Sequence, residues 1–114
     1  MSIFSEIITI LKPLNIPIET SIFSGKAPET YIILTPLSDS FPLFADNMPQ
    51  AEICEVRLSL FSKQNYLQIK NEITRLLLNA DFTITNRLYI GFEEDTKYHH
   101  VCIDIQTIIE MEEI

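Results

Sequence analysis

The chain has 114 residues, 46% apolar and 21% charged, which is the size and balance of one globular domain and excludes wholesale disorder. Two Gly leave no glycine-rich phosphate loop, and 8 Lys+Arg against 16 Asp+Glu, a net charge of −8, argue against a surface that neutralises duplex phosphates. Cys54 and Cys102 stand too far apart for a zinc spacing and are too few for a disulfide framework, so they read as reduced thiols of a cytosolic protein.

Residues 2–12 place Ile3, Phe4, Ile7, Ile8 and Leu11 on the stripe of a helix that packs one face on a core. Ser2 is the expected N-cap, and Pro13 stops the helix near Lys12. Nothing in Met1–Glu6 resembles a secretory signal, and no apolar run approaches the ~20 residues that cross a bilayer. The expectation is therefore a soluble cytoplasmic protein with a frayed acidic C-terminal end.

A short strand is expected at 18–24, a turn at Gly25–Pro28 and a second strand at 30–36. Residues 38–50 read as a long loop, or an arm with a short strand around Phe41–Phe44. Residues 52–61 alternate, with Cys54, Val56, Leu58 and Leu60 facing one way and Glu55, Arg57 and Ser59 the other, as in a half-buried antiparallel strand.

From Tyr66 the period becomes helical, and Tyr66, Ile69, Ile73, Leu76, Leu77 and Ala80 share a stripe. Asn65 with Gln68 forms a capping box, and the helix ends near Asn79, which tolerates the left-handed conformation. Residues 82–90 alternate again, with Phe82, Ile84, Leu88 and Ile90 on one face. An acidic turn over 91–98 leads to a last strand at 99–109, with Val101, Ile103 and Ile105 inward. The order α-β-β-β-α-β-β predicts a single α+β domain over residues 1–114. Its sheet is antiparallel or mixed, with about five strands and both helices on one face.

Candidate chemistry is sparse. His99 and His100 are adjacent in a strand and point to opposite faces, so they cannot chelate one ion. Asp104 shares a face with His100 and Cys102, which is either a Cys-His-Asp constellation or the ordinary polar face of a strand. Glu93, Glu94 and Asp95 lack the spacing of a calcium loop and read as a solvated turn. Asp39, Asp46 and Asn47 read as turn formers beside prolines. The sequence thus assigns no catalytic, cofactor or metal residue. Phe41, Phe44 and Met48 among Pro, Asp and Ser are more informative, because exposed aromatics in a polar arm are costly in a monomer. Either the arm folds onto its own core or it packs on another subunit.

Several segments are familiar together. They are Thr30–Thr35, Phe44–Gln50, Val56–Lys63, Lys70–Ile73, Leu78–Thr85 and Tyr89–His100. Over roughly residues 28–106 they resemble the small tail-completion (tail-terminator, head–tail joining) proteins of siphophages and prophages of Gram-positive bacteria. The resemblance implies an α+β domain without enzymatic activity or cofactor. Such a protein forms a homo-oligomeric ring, often a hexamer, that caps the tail tube. Its expected partners are itself, the major tail protein and the head-completion or connector protein, with no membrane and no sequence-specific nucleic acid. It would assemble in the bacterial host cytoplasm and end at the virion head–tail junction. Phe41, Phe44, Asp46, Asn47 and Met48 are then the candidate subunit or partner interface. A net charge of −8 suits a ring through which DNA passes without being held. Two rival readings remain: a small non-viral module that binds proteins by strand addition at an open sheet edge, and an enzyme built on His100, Cys102 and Asp104.

Overall fold

The computed structural model describes residues 3–20, 27–45 and 48–110, with side chains described outside 39–51 and 109–110. The first stripe forms α1 (Ile3–Leu11), followed by one 3₁₀ turn at Lys12–Leu14 that takes in Pro13. Ile7 and Leu11 are fully buried and Ile3, Phe4 and Ile10 pack beside them, whereas Ile8 turns outward at the edge of the stripe. Asn15 ends the turn in the left-handed conformation, its N–H donating to the Lys12 carbonyl at 3.1 Å. The expected Ser2 cap lies outside the described residues.

Five strands follow: β1 (Ile18–Glu19), β2 (Thr30–Ala45), β3 (Met48–Ser62), β4 (Thr83–Phe92) and β5 (His99–Glu110). Their order across the sheet is β1-β2-β3-β5-β4, with β1 parallel to β2 and every other pairing antiparallel. The fold is α+β with a mixed sheet, in the chain order that the alternating periods predict. The first strand is shorter than the expected 18–24: its ladder covers two residues, and positions 21–26 lie outside the described set.

One face of the sheet carries the core. The rungs Ile32–Leu60–Val101, Leu34–Leu58–Ile103 and Val56–Ile105 stack under Ile7 and Leu11 of α1 and Ile73 and Leu77 of α2 (Tyr66–Asn79), all in one contiguous buried cluster. Asn65 caps α2, its Oδ1 accepting the Gln68 N–H at 3.2 Å. The Gln68 side-chain amide donates forward to Glu72 at 3.4 Å. The left-handed residue at the other end is Asp81 (φ 68°), not Asn79. Phe82 N–H donates to Leu77 O and Asp81 N–H to Leu78 O, the paired bonds of a Schellman ending, with Phe82 and Leu77 both in the core.

Two departures from simple alternation matter. In β4 the ladder slips between Ile84 and Asn86, so Ile84 shares a rung with Ile105 on the core side while Leu88 pairs with Cys102 on the other side. Phe82, Ile84, Leu88 and Ile90 therefore do not lie on one face, because an extra residue inverts every later side chain. In β2 the strand does not stop at Pro36. It continues through three register shifts, at Pro36/Ser38, Ser40/Leu43 and Leu43/Phe44, to Ala45, which pairs with Met48.

Among the described residues, no helix is long and apolar enough to cross a membrane.

Candidate functional site

Of the two expectations for 38–50, a long loop or an arm with a short strand around Phe41–Phe44, the structure has the arm, with strand over 38–45 and 48–50. Past the last core rung, Val56–Ile105, strands β2, β3 and β5 run on together as far as Ala51–Glu110. Leu43 joins that last rung through Ala51, and beyond it, among the described residues, β2 and β3 continue through the pairs Phe44–Pro49 and Ala45–Met48. Pro36 and Pro42 both stand on β2, which beyond Ile33 is the sheet edge among the described residues; Pro36 is in phase with Ile32, whose N–H points away from β3 to the Pro17 carbonyl, so its missing N–H costs no bond to β3. Phe41, Phe44 and Met48 are thus strand residues of one projecting arm. Asp46 and Asn47 lie outside the described residues.

The arm gives the molecule its proportions. The principal extents are 54 × 26 × 23 Å and the radius of gyration is 15.5 Å, against about 13 Å for a compact domain of this length.

The helix-free face of the sheet holds the other candidate. Register sets Tyr31, Phe61 and His100 in one rung, Ser59 and Cys102 in the next, and Arg57 and Asp104 after that. Arg57 donates to both carboxylate oxygens of Asp104, Nε–Oδ1 at 2.8 Å and the second bond at 3.0 Å, a fork-to-fork pair. Asp104 is buried (6% exposed), and this bond raises the Arg57 pKa further. Cys102, expected on an open face, is 2% exposed, enclosed by its position on an interior strand between β3 and β4. Its Sγ lies 3.7 Å from His100 Nε2 and 4.0 Å from Ser59 Oγ.

His100 and Asp104 are four strand positions apart, roughly 13 Å along β5. With both Asp104 oxygens on Arg57, the carboxylate does not orient the imidazole as a nucleophilic triad requires. The ring instead stacks on Phe61 at 4.2 Å. Burial is the first cause that lowers its pKa, with Arg57 acting in the same sense and Glu93 opposing. The cavities beside Glu6 and Asp81, at the 93–96 turn, and beside Ile8 and Lys12 contain none of His100, Cys102 and Asp104.

His99 points to the other side, as adjacent strand residues must. There it bonds Tyr89 Oη through Nδ1 at 3.0 Å and stacks on Tyr66 at 4.6 Å. Among the described residues, no three His, Cys, Asp or Glu side chains converge on a metal position. The acidic segment is a turn: Glu93 N–H donates to Tyr98 O, Lys97 N–H to Glu93 O and Thr96 Oγ1 to the Glu93 carboxylate.

The sequence reading passed over Tyr98. It is buried edge-on to Tyr31 and Phe61, donates its hydroxyl to the Pro28 carbonyl, and has Lys63 Nζ 4.9 Å from its ring centre. Burial is the largest cause that raises the Tyr31 and Tyr98 pKa values. An aromatic after a turn is a weak signal, and only the fold shows which rings it meets.

Neither the protein-family models nor the curated proteins contain a match to this chain.

Proposed function

We propose that the protein is a non-enzymatic assembly protein, acting as the phage tail-completion resemblance implies. It caps a tail tube as a ring of identical subunits and offers a different surface to the head connector. The observation that supports this reading is the β2–β3 arm. It is a ribbon that leaves the core, carries Phe41, Phe44 and Met48 in its strands, and ends as two strands with no third beside them among the described residues. A ring interface is heterologous, so the arm of one subunit would meet a different surface on the next. Apolar and aromatic arm residues suit such a contact.

The test uses purified tail tubes. Phe41→Ser combined with Phe44→Ser should leave the circular dichroism and thermal transition of the domain in place. Electron microscopy and light scattering should show that tubes continue to elongate in its presence, whereas the parent stops them. A double variant that caps tubes as well as the parent would remove the arm from the interface.

A further inference from the structure

The sheet has open edges of two kinds. On the β2 side, β1 covers Ile32 and Ile33, and the stretch beyond carries Pro36 and Pro42. Proline has no N–H to offer a new strand, so this edge is less suited to backbone pairing. The opposite edge is β4, whose one strand partner among the described residues is β5. It holds no proline, and its ladder is regular from Asn86 to Tyr89 between two slips.

Apolar groups flank that edge on both sides. Leu88 (50% exposed) lies on the helix-free side, Tyr89 (46%) and Phe92 (45%) on the helix side, and Ile90 (50%) at the second slip. A strand laid along β4 would cover all four, whereas a groove binder on either face would reach one side only. The edge ends in the acidic turn Glu93-Glu94-Asp95, which is exposed.

We propose that β4 is a strand-accepting edge for an extended segment of another protein, apolar at successive positions and basic at the end that lies against residues 93–95. Charge argues against a second copy, because each chain carries −8 and two copies repel at the whole-molecule scale. A basic partner gains attraction at both the turn and the whole-molecule scale. The inference does not depend on tail capping, since the arm takes no part in it.

The test is amide hydrogen exchange on the full chain with the peptide Lys-Arg-Val-Phe-Val-Thr-Val-Lys-Arg as probe, basic at both ends so that either strand direction is served. At about 1 mM peptide, with Kd no weaker than about 1 mM, exchange should slow at least about twofold at amides within Asn86–Phe92. The same peptide with Asp-Glu at both ends should give no slowing. The variant Glu94→Lys with Asp95→Lys, altered only in the exposed turn, should bind the basic peptide roughly three- to tenfold more weakly, as for exposed charge pairs. Absence of slowing in β4, slowing confined to the arm, equal response to the acidic peptide, or β4 protection that grows with protein concentration alone would each overturn the proposal. Arm variants that fail to cap tubes should still bind the peptide, which separates this claim from the capping function.

Discussion

At the scale of single residues, burial separates neighbours in β3. Leu58 is fully enclosed between Leu34 and Ile103. Leu58→Ala should lower the urea-unfolding free energy by about 2–5 kcal/mol through lost transfer and a cavity. Arg57, one position along, is partly exposed, and alternation alone would make it expendable. Its partner Asp104 is not exposed, so Arg57→Ala leaves a carboxylate without its cation and should cost roughly 1–3 kcal/mol. Adding Asp104→Asn to Arg57→Ala should recover part of that loss. Additive losses in the double-mutant cycle would show that the pair contributes nothing jointly. His100 carries a pH signature. Its native pKa lies below the ordinary 6.5, so between those two values the unfolded chain binds more protons. Its contribution to stability is therefore lost as pH falls through that window. His100→Phe keeps the stack on Phe61 and should flatten the change in stability between about pH 7.5 and about pH 5. An unchanged slope would assign the dependence to other groups.

At the scale of elements, the termini of α2 are the sensitive points. The Asn65 cap satisfies one helix N–H, and Asn65→Ala should cost about 1 kcal/mol. At the other end Asp81 holds a positive φ that glycine adopts freely. Asp81→Gly should therefore gain about 0.5–1 kcal/mol in thermal melts, or at worst break even against the added freedom of the unfolded chain. A clear loss would mean that the carboxylate makes a contact worth more than the strain. Strand β4 shows the same dependence on local detail. One slip at Ile84–Asn86 moves Leu88 from the core side to the open side, and with it the character of the sheet edge.

At the scale of the whole molecule, the described core cluster is built from α1, α2, Phe82 and the sheet rungs from Ile32–Leu60–Val101 to Val56–Ile105. If the arm serves assembly rather than the core, replacing residues 43–51 with an Asn-Gly turn should change unfolding free energy by less than about 1 kcal/mol. In the proposed function the same change abolishes tube capping. A variant that unfolds instead would show that the arm closes the core, the other reading of its aromatics.

How much of this was legible in the chain follows from how local each signal is. The two helices, the strands at 30–36, 52–61 and 99–109, and their order were readable because periods of 3.6 and 2 report which side chains can share a face without reference to any partner. Cys54, Val56, Leu58 and Leu60 are buried together for that reason. The extent of the arm's strands is not legible locally, because proline argues against a strand unless its N–H faces outward, and edge position is a property of the assembled sheet. The flip in β4 needed the register with β5, since a slip leaves no mark in composition. Burial of Cys102 and pairing of Arg57 with Asp104 needed β5 to sit between β3 and β4. Those residues lie far apart in the chain, and only the closed sheet brings their side chains within reach.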